Sequence, residues 1–93
     1  MKPTRQLNSI IKEPSYEDAL KEVAAGKGVE RLHDLEAAID WALAREPKRF
    51  TELRDGCYLW RTEQVSDQIP AVLIAYRHDE ASCSVFLISI KLA

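Results

Sequence analysis

No stretch of this chain approaches the ~20 apolar residues a membrane span requires. The opening fifteen residues also lack the apolar core of a signal peptide. Neither insertion nor export is expected, and the cytoplasm is the default compartment. Cysteine is scarce, with two residues in 93. In a reducing compartment Cys57 and Cys83, both in predicted strands, behave as small buried hydrophobes. Together with His33 and His78 they show none of the close ligand spacings of a zinc site, so no metal is expected. The sequence contains no glycine-rich phosphate loop, no GxSxG elbow and no metal-spaced pair of histidines, and no cofactor is expected. Positive charge is not in excess either. Thirteen Lys and Arg stand against fifteen Asp and Glu, a formal charge of −2. That excludes a global basic field, so nucleic acid could be held only by a local patch.

What is present is ordinary globular material, 46% hydrophobic and 30% charged, of a length that supports one domain over residues 1–93 with one modest core. Residues 4–12, TRQLNSIIK, predict a short first strand, with helix as the alternative. Ser15 and Asp18 resemble a capping box after Pro14, and Glu17 and Asp18 suit the positive end of a helix. Tyr16, Ala19, Leu20, Val23 and Ala24 then form one stripe, which Gly26 and Gly28 are expected to stop by taking a left-handed C-cap. A second helix is predicted from Val29 to Arg45. Leu32, Leu35, Ala38, Ile39, Ala42 and Leu43 share its apolar face, His33 lies on its exposed flank, and Trp41 packs at the stripe's edge. Pro47 marks its boundary. A glycine-bearing turn would join the two helices as an antiparallel hairpin.

Beyond Pro47 the period changes. KRFTELRDG reads as a charged connector ending in the Asp55-Gly56 turn. CYLWRTE (57–63) reads as a strand, VSDQ as a polar link, and AVLIAYR (71–77) as a strand buried on both faces. HDEA is a turn, with Asp79 and Glu80 explained by turn propensity. SCSVFLISIKL is the last strand; plain alternation puts Phe86, Ile88, Ile90 and Leu92 on one face and Val85, Leu87, Ser89 and Lys91 on the other. The expected fold is α+β: a helical hairpin packed on a small, mainly antiparallel sheet in the order β-α-α-β-β-β.

Chemistry is thin. His78, at the hairpin turn, lacks an evident nucleophile to serve as general base. Lys48, Arg49, Arg54 and Arg61, interleaved with Phe50, Tyr58 and Trp60, form a candidate nucleic-acid patch, since arginine binds phosphates and aromatic rings stack bases. Glu52 and Asp55 dilute that patch, and a solvated connector is the competing reading.

The layout, together with VLIAYRHDE and SVFLISI, resembles the RelE/ParE superfamily of bacterial type II toxins, with Tyr76 at the second tyrosine of the family's Y-R-x-x-Y pattern and REPKRF at its proline-bearing link. The resemblance implies a toxin-like protein with an antitoxin as partner, and gyrase, RNA or the ribosome as targets. For the ribonuclease members it also implies an arginine early in the central strand, where this chain has Leu73. A further basic residue is implied near Ala93, followed by a segment bearing tyrosine or histidine, where this sequence stops. Arg61, Arg77 and Lys91 offer positive charge near the implied places without matching one. The resemblance therefore favours action by protein binding. An mRNA endonuclease using those three residues and a non-toxic adaptor binding through a sheet edge or the Trp60 face are the alternatives.

Overall fold

A computed structural model describes residues 7–26, 31–64, 67 and 69–93. Its elements are β1 (Ser9–Lys12), α1 (Pro14–Ala24), α2 (Leu32–Arg45), β2 (Thr51–Arg54), β3 (Cys57–Arg61), β4 (Val72–Asp79) and β5 (Ser84–Leu92). The five strands form one sheet in the order β1-β5-β4-β3-β2. β1 runs parallel to β5, and the other three pairings are antiparallel. This is the expected α+β architecture with one strand more. The segment read as a charged connector supplies β2, an edge strand whose four residues are all exposed. Backbone pairing with β3 holds it there, without any apolar stripe to announce it. The first three residues of TRQLNSIIK, the starting residues of the predicted second helix and most of VSDQ fall outside the described residues.

The two helices supply one face of the core. Tyr16 and Val23 of α1 and Leu35, Ile39 and Leu43 of α2 are buried against Tyr58, Val72, Ile74, Tyr76, Val85, Leu87 and Ile90 of the sheet. Register explains why these sheet residues act together: Tyr58 faces Tyr76, Ile74 faces Ile90, and His78 faces Val85. The opposite side of the sheet carries Cys57, Leu59 and Arg61, then Leu73, Ala75 and Arg77, then Phe86, Ser89 and Lys91.

Local corrections have clear causes. α1 begins two residues earlier than the capping box suggests, with Glu13 as N-cap and Pro14 at the first helical position. Pro14 fits there because its missing N–H would have had no helical acceptor. Ser15 instead donates its hydroxyl to the Ile88 carbonyl at 2.6 Å. The helix ends at Ala24 with Ala25 still right-handed at φ −77° and the Gly26 N–H donating to the Val23 carbonyl at 3.0 Å; Gly28 lies outside the described residues. Trp41 is 62% exposed rather than packed; its ring carries the Arg45 guanidinium at 4.3 Å. Cys83 lies in the turn before β5 at φ 51°. At Gly56 the left-handed φ of 74° is used, and an added Cβ would stand 3.3 Å from the His78 carbonyl oxygen.

β5 departs furthest from alternation. Ala75 pairs with Ser89 but Tyr76 pairs with Leu87, so Ile88 is an extra residue in the ladder. Such a bulge changes the face of every residue beyond it. Val85 and Leu87 before it, and Ile90 after it, therefore all point into the core. Phe86 and Ile88 are only half-buried and Leu92 is exposed. The start of α1 covers the bulge: the Glu13 N–H donates to the Leu87 carbonyl at 3.0 Å, beside the Ser15 bond to Ile88. No helix among the described residues is long and apolar enough to cross a membrane.

Candidate functional site

Strand register brings Arg61, Arg77 and Lys91 onto the sheet face away from the helices. Arg61 lies opposite Leu73, and Leu73 opposite Lys91, so the two cations sit in one row with leucine between them. Two strand spacings separate them, about 10 Å. Arg77 lies four residues along β4 from Leu73, ~13 Å away, in a row with Cys57 and Phe86. Its guanidinium stacks over the Phe86 ring at 4.3 Å. Arg54 joins the same face, opposite Cys57. None of the four takes part in an ion pair among the described residues. Half-buried Leu59, Leu73, Ala75 and Phe86 lie between them.

The expected patch of Lys48, Arg49, Arg54 and Arg61 does not assemble as a unit. Lys48 is ion-paired with Glu80, and Arg49 lies 3.5 Å from Glu46. Arg54 sits at the hairpin end of β2, away from Arg61 at the far end of β3. Arg49 and Arg61 do converge, on a groove of 590 Å³ between α2 and the end of β3. Phe50 and Trp60 meet beside it, with ring centroids 4.2 Å apart and planes 12° from parallel. Asp34, Thr62, Glu63 and Ile69 also line it, with Leu35, Ala38 and Ile39 of α2. Nothing in the spacing of those four residues marks them, because the fold alone brings α2 alongside the exit from β3.

His78 belongs to β4 rather than to the turn, and it faces the helices. Asn8 organises its surroundings. The Asn8 backbone N–H and side-chain amide both donate to the Ala44 carbonyl, at 2.9 and 3.2 Å. The Asn8 side-chain oxygen is left for His78 Nε2, 3.2 Å away. His78 Nε2 thus donates to the Asn8 side-chain oxygen and closes a structural network at the end of α2. Burial, reinforced by Lys48, lowers its pKa despite Asp79. Asp79 accepts the Ala81 N–H at 3.1 Å, a turn of the type its residue favours; its pKa is held down by hydrogen bonds, first from Ser82. Neither group forms a catalytic pair among the described residues. Among the described residues no cluster of His, Cys, Asp and Glu could hold a metal ion.

The proline-bearing link is anchored. Pro47 is buried, and its carbonyl accepts the Tyr76 hydroxyl at 2.6 Å. Tyr76 also stacks on Tyr58, with centroids 5.3 Å apart. Tyr76 is therefore a structural fastening between the central strand and the link to β2.

No protein-family model matches the sequence, and no curated protein matches it. Solved structures do. A RelBE toxin–antitoxin complex from Mycobacterium tuberculosis superposes with a TM-score of 0.65 and 16% identity, over 99% of this chain and 98% of that one. The intact E. coli RelBE toxin–antitoxin complex gives 0.62 and 17%, over 92% and 96%. A double arginine-to-alanine mutant of E. coli toxin RelE in the free state gives 0.59 and 17%, over 94% and 84%. The last contains the toxin alone, so the likeness is to the toxin rather than the antitoxin. On this geometry the chain has the RelE-type toxin fold.

Proposed function

We propose that this chain is the toxin-like component of a type II toxin–antitoxin pair and acts by binding proteins across its open sheet face. The carrying observation is the charge there. Arg54, Arg61, Arg77 and Lys91 share that face by register, on a chain whose formal charge is −2. Cations spaced among half-buried apolar side chains suit an acidic partner that inserts apolar anchors. The fold supports an antitoxin as that partner, because two of the similar structures are toxin–antitoxin complexes. Gyrase is the kind of second target such a binding protein would take, and the cytoplasm is its compartment.

The test is capture. Tagged chain from its native host should retain a small acidic protein, and expression alone in bacteria should slow growth. Reversing charge at Arg77→Glu together with Lys91→Glu should weaken capture by at least roughly tenfold, about 1.4 kcal/mol, with unchanged thermal melting. Normal growth at high soluble expression, with no small protein retained, would refute the reading.

One observation favours a second reading, an mRNA endonuclease: Arg61, Arg77 and Lys91 lie on one face and could grip a phosphate backbone. Cleavage needs proton transfer as well as charge. The register neighbours of these cations are Leu73, Cys57 and Phe86, while His78 faces the other way. Binding is therefore the better-supported activity. Cleavage of ribosome-bound message in cell-free translation, lost when all three cations are substituted, would reverse that ranking.

A further inference from the structure

We propose that the outward face of α2 docks a second copy of this chain, with the two helices antiparallel and Trp41 of each seated against Ala38 of the other. Asp34, Ala38, Trp41 and Arg45 recur at four-three-four spacing along α2. At about 100° per residue they fall within one strip roughly 60° wide, and the same spacing makes the seam of paired helices. Leu35, Ile39 and Leu43 turn the other side of the helix into the core. The strip therefore looks outward: Asp34, Ala38 and Trp41 are exposed and Arg45 is half-buried. Trp41, at 62%, is the most exposed large apolar side chain among the described residues. An indole in water on a helix face is the kind of anchor that interfaces bury at their centre. Asp34 and Ala38 also border the open groove of 590 Å³ that Leu35, Ile39 and Ile69 help to line, which offers an incoming ring apolar surface to cover.

Charge and size select the occupant. The register that sets Trp41 opposite Ala38 of the second copy also sets Arg45 opposite its Asp34, because both pairs are centred on the same point between Ile39 and Asp40. A two-fold axis through that point makes each contact twice. The largest side chain of the strip then meets the smallest, as interdigitated packing requires, and a cation meets an anion at both ends. Arg45 is held for this: its guanidinium lies over the Trp41 ring at 4.3 Å and donates to the Trp41 carbonyl at 3.1 Å, so ring and charge arrive together. Asp34 already accepts Arg31 at 2.7 Å, through Oδ2. That pair is exposed and of the kind that contributes little, and a carboxylate accepts at both oxygens. A helix of 14 residues is about 21 Å long. Contact along it falls short of the ~800 Å² per partner of a stable complex, so the dimer is weak and concentration-dependent. α2 packs on the side of the sheet opposite Arg54, Arg77 and Lys91. Pairing here leaves that face open, and the inference does not rest on the toxin-like reading.

Sedimentation equilibrium of the full chain, from about 10 µM to 1 mM, should show monomer passing to dimer. Trp41→Ala, at an exposed site, should weaken the dimer at least roughly tenfold. Asp34→Arg and Arg45→Asp test the register. Each variant alone meets like charges at both ends of the seam and should stay monomeric. An equimolar mixture of the two restores both opposite-charge contacts and should associate about as tightly as the unaltered chain. Circular dichroism confirms that each variant keeps its helices. Charges that merely supported α2 within one chain would not be repaired by mixing. Monomer throughout the concentration range would overturn the proposal. So would association indifferent to Trp41→Ala, or a mixture no stronger than its components, either of which would place the dimer contact on another surface.

Discussion

Tyr16 and Tyr76 are equally sealed from solvent, at 0% exposure, but their hydroxyls differ. Tyr76 donates to the Pro47 carbonyl at 2.6 Å; the Tyr16 hydroxyl meets no partner among the described residues. Burial raises the pKa of both well above the usual phenol value, so both remain neutral at any working pH. Removing a satisfied hydroxyl leaves a buried carbonyl orphaned, whereas removing an unsatisfied one relieves a desolvation cost. Tyr76→Phe should therefore lose about 1–2 kcal/mol, and Tyr16→Phe should gain up to ~1 kcal/mol, by urea unfolding. His78 gives a pH signature. Its folded pKa lies below the unfolded value because burial disfavours the imidazolium. Its contribution is fully present above the unfolded value, ~6.5, and is lost as pH falls through the folded one. Stability should fall below about pH 6.5, and His78→Asn should flatten that part of the profile. An unaltered profile in His78→Asn would show that another group controls it.

β5 is the element where plain alternation and observed packing make opposite claims, and truncation separates them. With the bulge at Ile88, Leu87→Ala opens a cavity under both helices and should cost about 2–5 kcal/mol. Phe86→Ala, on the open face, should cost distinctly less. An unbulged strand would invert the order. The same element shows what could be read in the residues. The stripes of α1 and α2, the strand nature of CYLWR and VLIAYR, and the Asp55-Gly56 turn are written in local periodicity and turn chemistry, which are short-range properties. The bulge is not, because it depends on carbonyls of β5 meeting the Glu13 N–H and Ser15 hydroxyl more than seventy residues earlier. β2 was hidden for a similar reason: its pairing with β3, not its composition, makes it a strand. At the candidate site, Arg61, Arg77 and Lys91 could be named individually from charge and position. Their sharing a face, and the convergence of Asp34 with Glu63, follow only from register and helix placement.

On the scale of the whole molecule, charge is unevenly distributed. An acidic chain places on one sheet face four cations that take part in no ion pair among the described residues, while Lys12 is held by Glu36 at 3.0 Å and Asp40 at 3.8 Å on the helix side. Rows about 10–13 Å apart are comparable to the Debye length, ~10 Å at 0.1 M salt. Association with an acidic partner should therefore slow severalfold between about 0.05 and 0.5 M salt, with a smaller change in dissociation. Stopped-flow mixing measures both rates, and a salt-independent on-rate would assign the contact to the apolar residues instead.

The position of β5 between β1 and β4 also governs how the molecule is made. Ser9–Lys12 precedes Ser84–Leu92 by more than seventy residues, yet that distant strand is its sheet neighbour among the described residues. The parallel pairing must close a loop of most of the chain before it returns any stability. On a translating ribosome, α1, α2 and the β2–β3–β4 run emerge first, with the β1 edge unpaired and the buried face of β4 half covered. Only when β5 clears the exit can both gaps close in one step. A nascent chain stalled before Ser84 should accordingly be protease-sensitive throughout, and release of the last strand should confer resistance on both ends of the sheet together.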